Sequence, residues 1–264
     1  MKREDIQIIS RYSDLTEQAV DEALKANVYN DKIAWQKFLR LFFISLGVCF
    51  TVSGIVFFFA YNWENLHKFV KFGLTEGLLI VTVIIVLLPK INANFRNIIL
   101  TAASVLVGVL FAVFGQIYQT GANAYDFFLA WIIFVTLWVI VSNFAPLWLL
   151  YIILINTTFI LYSQQVANGW SMVFVCATLF IINAIVLVSA IFWGKKKIPN
   201  WFLNTVALAS VSYPTIGIVV GIFNIDQTSF PFLVLITALA YTFGIWYGLK
   251  TKNAFYLSVI PFSL

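Results

Sequence analysis

Long apolar runs alternate with short polar breaks from residue 40 onward, and this alternation limits the possible fold more than any other feature. A helix rises about 1.5 Å per residue, so crossing about 30 Å of hydrocarbon takes about 20 residues. Within a bilayer, only helices and closed barrels satisfy every backbone group, and these runs lack the alternation of barrel strands. We therefore predict an all-α polytopic transmembrane bundle with spans near residues 40–60, 70–89, 97–116, 125–142, 145–163, 170–193, 201–222 and 230–249.

The composition agrees with such a bundle and excludes several classes of protein. Hydrophobic residues make up 62% of the chain and charged residues only 10%, whereas an average soluble domain carries about 25% charged residues. A soluble globular enzyme, a disordered chain and a nucleic-acid-binding domain are excluded on this ground. The expected environment is the lipid bilayer, and the excess of 16 basic over 11 acidic residues fits loops beside an anionic lipid surface.

The positions of the basic residues predict the orientation of the bundle. With a cytoplasmic N-terminus, 14 of the 16 basic residues fall on the cytoplasmic side, and only Lys68 and Lys71 fall outside. The opposite orientation reverses this ratio, which the positive-inside rule disfavours. We therefore predict a multi-pass membrane protein whose N-terminus is inside.

Two terminal segments differ from residues 40–253, the predicted bundle. Residues 1–39 hold seven of the 11 acidic residues, and their apolar spacing predicts a small helical cytoplasmic cap. Ser13 or Thr16 is expected to cap a helix over residues 17–26, because a hydroxyl accepts from free first-turn N–H groups. Residues 254–264 are apolar but too short to span. They form either a partial ninth hydrophobic segment of a truncated chain, which we favour, or a re-entrant segment.

Polar residues on the predicted outer face form the candidate binding site. Glu76 lies about one and a half turns inside the second span, where a carboxylate is costly unless it faces a partner or a polar cavity. Its candidate partners are Lys71, His67 and Gln116. Because consecutive helices usually pack as neighbours, we expect the two outer loops side by side. The predicted ligand-binding residues are Asn62, Trp63, His67, Lys71, Glu76, Gln116, Tyr118, Gln119, Thr120 and Asp126.

Several of these residues also have a structural interpretation. Glu76 can bond to a neighbouring helix, His67 can be solvated, and Asp126 can stabilise the N-terminus of the fourth span. The polar residues at 116–120 can satisfy the last carbonyls of the third span. The outer aromatic residues suit a belt at the lipid headgroups, namely Tyr61, Trp63, Tyr118 and Tyr125.

Other polar and small residues have mainly structural interpretations. Gly115 and Gly121 bracket the polar turn and permit a close backbone approach or a tight turn. Asn156 and Asn183 lie at mid-depth, where an amide usually bonds helix to helix. Pro214 either breaks the seventh span or kinks it.

Catalytic and metal-binding signatures are absent from the sequence. It lacks the G-x-S-x-G, H-E-x-x-H, P-loop and dinucleotide-binding patterns. A zinc site needs three or four ligands, and one histidine with the distant Cys49 and Cys176 does not supply them. We therefore expect no cofactor and no metal.

The chain resembles a known family at several of these residues. The resemblance rests on the acidic N-terminal helices, the A-Y-N-W exit of the first span at residues 60–63, Lys71, and the G-Q-I-Y-Q-T-G-A-N-A turn at residues 115–124 followed by Trp131. These features resemble bacterial integral membrane proteins grouped as domain-of-unknown-function family 2157, over about residues 1–145. The resemblance implies a polytopic fold in the bacterial inner membrane and gives weight to the outer-face turns. It implies no substrate and no catalytic residue.

The sequence leaves three functions open. The first is binding or transport of a small polar ligand, a lipid headgroup or a cation through an outer-face site formed between spans 1–4. The second is a structural or sensory membrane module whose cap docks a cytoplasmic protein partner. The third, the least favoured, is an intramembrane enzyme that uses Glu76 and His67. A buried Glu76 beside a wet cavity favours the first, and a Glu76 bonded to a neighbouring helix favours the second.

Overall fold

Helices account for all the regular structure in the described part of the chain. A computed structural model describes residues 3–13, 15–29, 32–62, 66–119, 121–193, 198–224 and 228–263. Its helices in chain order are α1 (Arg3–Tyr12), α2 (Glu17–Asn27), α3 (Lys32–Asn62), α4 (Lys68–Leu87), α5 (Ala93–Tyr118), α6 (Ala124–Ser142), α7 (Ala145–Gln165), α8 (Met172–Trp193), α9 (Asn200–Phe223), α10 (Phe230–Thr251) and α11 (Ala254–Phe262).

Eight of these helices, α3 to α10, correspond to stretches long and apolar enough to cross a membrane. The prediction of an all-α polytopic bundle with about eight spans is therefore confirmed. The ends of α4 to α10 lie within four residues of the predicted spans. Helix α3 begins eight residues before its predicted span, because the helix continues through the polar residues that precede the apolar run. The orientation of the bundle stays a prediction, and Lys195, Lys196 and Lys197 lie outside the described residues.

The two cap helices, α1 and α2, pack against each other. Thr16 caps α2, since its hydroxyl oxygen accepts a hydrogen bond from the N–H of Ala19 at 3.3 Å; this confirms one of the two predicted caps. One turn apart on α2, the Asp21 carboxylate lies 2.6 Å from the Lys25 ammonium and raises the pKa of Lys25. The division into cap and bundle domains stays a prediction.

The first half of the bundle packs around α5. Helices α4 and α6 lie against it, and α3 also contacts it. Gly108 and Gly115 of α5 admit aromatic rings of α6, because a Cβ on Gly108 would overlap the ring of Trp131 and one on Gly115 would lie 2.8 Å from Phe127. The indole N–H of Trp131 donates to the carbonyl of Ser104 at 2.6 Å. The close approach expected at Gly115 is thus an aromatic contact between helices.

A pair of buried amides joins α7 to α8. The Asn183 amide donates to Asn156 at 2.7 Å, and the Asn156 amide donates back at 3.2 Å. Each NH₂ group also donates to the carbonyl four residues earlier in its own helix. Both amides are therefore well satisfied in the apolar interior, and the prediction of a helix-to-helix bond is confirmed.

The second half of the bundle packs around α9, most extensively against α8. Pro214 is buried inside α9, which runs without a break from Asn200 to Phe223. The alternative prediction, that Pro214 breaks this helix, is therefore wrong. Short helix α11 turns back against α10 and α9, and its end is fixed at Ser263, whose carbonyl accepts from Thr215 at 3.3 Å and whose hydroxyl lies 3.1 Å from that of Tyr241.

Candidate functional site

The first turns of α4 hold two of the predicted site residues. His67 caps the helix, with its ring Nδ1 accepting from the N–H of Phe69 at 3.4 Å, and its side chain is exposed. Lys71 lies one turn further on and is only 8% exposed. Thr75 follows it on the same buried face and donates to the carbonyl of Lys71 at 2.8 Å. A buried lysine therefore lies at the predicted outer end of α4.

Glu76 occupies a different face of α4. Its side chain is exposed, and so are the residues Gly73 and Ile80 on the same side of the helix. Within the described ranges, no group forms a hydrogen bond or an ion pair with Glu76. The pairing of Glu76 with Lys71, His67 or Gln116 that the sequence suggested is absent among these residues.

The end of α5 holds three more predicted site residues. Gln116 and Tyr118 are exposed, and the ring of Tyr118 contacts Phe72 of α4 with centroids 5.7 Å apart. Gln119 takes a left-handed conformation, with φ of 42°, and its N–H donates to the carbonyl of Gly115 at 3.1 Å. Gly121 follows with φ of 70°. The turn therefore ends the helix through a backbone hydrogen bond, and the two interpretations of its polar side chains both stay predictions.

Asp126 acts at the start of α6. Its carboxylate accepts from the N–H of Asn123 at 3.0 Å and forms a capping box with that residue, which agrees with its structural interpretation. A further N–H of the turn, on Tyr125, donates to the side chain of Gln165 at 3.2 Å. Sequence reasoning missed Gln165, because its partner lies 40 residues away in the chain.

The predicted outer-face residues are thus distributed over several separate positions. Helix capping occupies His67, Gln119 and Asp126, while Lys71 and Glu76 lie on different faces of α4. The side chain of Asn62 and the whole of Trp63 and Thr120 lie outside the described residues. In the part of the chain that the structure describes, no three His, Cys, Asp or Glu side chains group closely enough to hold a metal ion.

A cleft of about 640 Å³ lies at the opposite end of the bundle, between the start of α3 and the start of α5. We call it the basic cleft. Its exposed rim carries Lys37 and Arg40, and its half-buried floor is apolar. The full lining is Ile33, Gln36, Lys37, Arg40, Leu41, Ile44, Ile91, Asn92, Asn94 and Phe95.

The electrostatics of the basic cleft favour an anion. The first turn of α5 contains no acidic residue, and Asn92 caps it by accepting from the N–H of Asn94 at 3.0 Å. A helix N-terminus carries partial positive charge from its unpaired N–H groups. Lys37 and Arg40 add two full charges, and Lys90 and Arg96 flank the loop and helix that line the cleft. An anionic group with an attached apolar chain fits this lining.

The sequence contained a signal for the basic cleft, although sequence reasoning used these bases only to predict orientation. Gln36, Lys37 and Arg40 recur at helical spacing, so they lie on one side of α3. The sequence did not indicate that α3 packs against α5, because the whole of α4 lies between these two helices along the chain.

A family model described as predicted membrane protein (DUF2157) matches residues 11–148, which is just over half of the chain. The chain belongs to this family. The resemblance seen in the sequence is confirmed, and the matched residues include both the basic cleft and the turn after α5. Helices α8 to α11 lie beyond the matched residues. No curated protein and no solved structure matches the chain significantly.

Proposed function

We propose that this DUF2157 protein is a bacterial inner-membrane protein, with its N-terminus inside, that binds the headgroup of an anionic lipid. The observation that carries the proposal is the basic cleft, which joins a cationic rim to an apolar floor. A lipid headgroup is among the ligands that the sequence suggested. The proposed location differs, because the cleft lies at the cap end of the bundle rather than at the outer face.

The chemistry of the lining supports a lipid more than a soluble anion. A phosphate at the rim can accept hydrogen bonds from Lys37, Arg40 and Asn94, and charge-assisted bonds of this kind are the stronger ones. An acyl chain can lie against Leu41, Ile44 and Phe95, which continue from the rim toward the middle of the bundle. A free phosphate uses only the rim and leaves the apolar floor without a partner.

The double variant Lys37→Gln with Arg40→Gln tests the proposal. Each base near an anionic lipid surface contributes about 1 kcal/mol. Losing both is therefore expected to weaken binding of phosphatidylglycerol about 30-fold, since about 1.4 kcal/mol corresponds to a factor of ten. The measurement is a native mass spectrometry titration of the purified full chain with phosphatidylglycerol.

The matched control is the pair Lys250→Gln with Lys252→Gln. It removes the same charge at the same expected end of the bundle, but from the end of α10. Lipid binding should be nearly unchanged in this control. Equal weakening in both pairs contradicts a specific cleft, and no weakening in the first pair contradicts the proposal outright. Full competition by inorganic phosphate would instead identify a soluble anion.

The cap supports a second candidate function, docking of a cytoplasmic protein partner through residues 1–39. Tyr12 is 87% exposed, and Ile8 and Leu15 are exposed as well. In the proposed arrangement these residues face water rather than lipid, and apolar residues grouped on such a surface often mark an interaction site. Retention of a protein partner by the wild type but not by an Ile8→Ser, Tyr12→Ser variant, with lipid binding intact in both, supports this function. Equal retention by both contradicts it.

Ligand binding at the outer face, including transport, stays a third proposal. Its main support is the buried Lys71 at the predicted outer end of α4. Glu76, exposed on another face of the same helix, belongs to this proposal only if a partner or ligand covers that face.

A further inference from the structure

A cavity of about 470 Å³ lies between α8, α9, α10 and α11, outside the residues that match the family. Its walls are almost entirely apolar and rich in aromatic rings, including Phe180, Tyr241, Tyr247 and Phe255. Ligand sites of small molecules are typically cavities of about 300–1,000 Å³ with apolar walls and a few placed polar groups. This cavity has that size, and the residues of its lining that carry hydroxyl groups are Ser210, Tyr241, Tyr247 and Tyr256.

Ser210 is buried in α9 and 4% exposed, it is one of the residues that line the cavity, and its hydroxyl has no hydrogen-bond partner in the described structure. The other buried serine and threonine hydroxyls of the described residues are all bonded. Each donates to the carbonyl four residues earlier in its own helix, at 2.7–2.9 Å, as seen at Thr75, Ser104, Thr158 and Thr237. Ser210 is the exception, and a buried unpaired hydroxyl is expensive in an apolar interior.

The backbone carbonyl of Ser210 also lacks its usual hydrogen-bond donor. In a helix, the carbonyl of residue 210 normally accepts from the N–H of residue 214. Pro214 occupies that position inside α9 and has no N–H to donate. One residue on the cavity wall therefore combines an unused hydroxyl with a carbonyl that has lost its usual donor.

The depth of Ser210 and the exposed residues near it indicate the route by which a ligand reaches the cavity. It is ten residues from the start of α9, about 15 Å along the axis, and hence near the middle of the bilayer. Leu239 and Phe243 are part of the lining and are exposed on the surface of the bundle. Access is therefore from lipid rather than from water.

This depth restricts the chemistry of the ligand. The ester groups of phospholipids lie at the edge of the hydrocarbon, about 15 Å from the middle of a layer about 30 Å thick. A charged headgroup at Ser210 would lack any compensating charge, since the cavity lining contains none. A neutral molecule that dissolves in the bilayer can bring an oxygen atom to this depth.

We propose that this cavity binds a neutral, membrane-dissolved lipid of the quinone type, whose carbonyl accepts a hydrogen bond from the Ser210 hydroxyl once that side chain rotates about χ1 toward the cavity. A flat ring fits among the aromatic walls, which favour stacked or edge-on contacts. The Tyr241 hydroxyl does not compete for the carbonyl, because it donates to the carbonyl of Val211 at 3.4 Å and lies against Ser263. The proposal is independent of the basic cleft.

The test compares Ser210→Ala with Ser212→Ala in the purified full chain, using a decyl-substituted benzoquinone as the probe. Ser212 lies on the same helix, but it is exposed and its hydroxyl already donates to the carbonyl of Leu208 at 2.8 Å. We expect Ser210→Ala to weaken quinone binding about five- to tenfold, the usual effect of one lost hydrogen bond. Ser212→Ala should bind like the wild type, as measured by equilibrium dialysis.

Two further measurements distinguish a lost hydrogen bond from misfolding and from purely apolar binding. Without quinone, Ser210→Ala should unfold at the wild-type temperature or above it, because it removes an unpaired buried hydroxyl; weaker binding then reflects the site. Ala240→Trp, which fills the cavity, should abolish binding. Unchanged quinone affinity in Ser210→Ala overturns the proposal. Equal affinity for decylbenzene, which lacks the carbonyl, also overturns it and identifies a hydrocarbon or acyl-chain site.

Discussion

Glycines four residues apart occur in both halves of the bundle, but only one half uses them for packing. In the second half, neighbouring side chains fill the space beside each of these glycines: a Cβ on Gly221 would overlap the ring of Phe230, and one on Gly244 would lie 2.6 Å from Ile260. In the first half, a Cβ added to Gly73 or Gly77 of α4 would contact nothing within 4 Å.

This difference shows that the glycine spacing alone does not define an interface. Small residues let helices approach closely only where a neighbour supplies a side chain to fill the gap. Helix α9 has neighbours on several sides, and 33% of its most apolar stretch is buried, compared with 11% for α4. The open glycines of α4 also flank Glu76, so this open surface carries a carboxylate that no described residue pairs with.

Among the variants that test this difference between α9 and α4, Gly221→Leu is expected to change stability the most. The new side chain would overlap Phe230, and severe overpacking of this kind destabilises a protein by about 3 kcal/mol, the upper end of the usual range. Gly73→Leu, the matched variant on α4, should change stability by less than about 0.5 kcal/mol because its surroundings are open. Thermal unfolding of both purified variants measures the difference. If Gly73→Leu is as damaging as Gly221→Leu, another molecule packs on α4.

An intermediate effect on stability is expected at the buried amide pair that joins α7 to α8. Asn156→Ala leaves the buried Asn183 amide without its partner, and the expected loss is about 1–2 kcal/mol. Replacing both residues by Leu should restore part of the loss, since no unpaired amide then remains. The measurement is thermal unfolding of the two variants beside the wild type. A double variant less stable than Asn156→Ala would show that packing, rather than hydrogen bonding, dominates here.

The smallest effect is expected at Glu76. Glu76→Gln keeps the size of the side chain and one carbonyl oxygen, and no described residue bonds to the carboxylate. Stability should therefore change by less than about 0.5 kcal/mol, and the elution volume in size-exclusion chromatography should stay the same. A shift of elution volume toward a smaller species would reveal that Glu76 holds a partner helix on the open face of α4.

The length of the apolar runs was sufficient to predict the eight spans, because the thickness of the bilayer fixes the length of a spanning helix. The buried amide pair was also predictable, since Asn156 and Asn183 have few other uses at mid-depth. Asp126 and Thr16 followed from local capping rules that need no tertiary information.

The faces of α4 were harder to predict, because the helix is apolar all round and its pattern does not indicate which side is buried. Lys71 was one of three candidate partners of Glu76, yet residues five apart differ by about 140° around a helix axis. Counting residues would have separated them. Ser210 was missed for a different reason, because the sequence does not show that its hydroxyl lacks a hydrogen-bond partner. The only local sign was Pro214, four residues later.

The length of α3 has a consequence for the cap. Its 31 residues extend about 46 Å, about 16 Å more than the hydrocarbon layer requires when the helix stands upright. The extra turns act as a stalk that can hold α1 and α2 away from the membrane surface. At physiological salt, charges more than about 8 Å apart are largely screened. The cap's charges then act on lipid headgroups only weakly, while its exposed apolar side chains remain accessible to molecules in the aqueous phase.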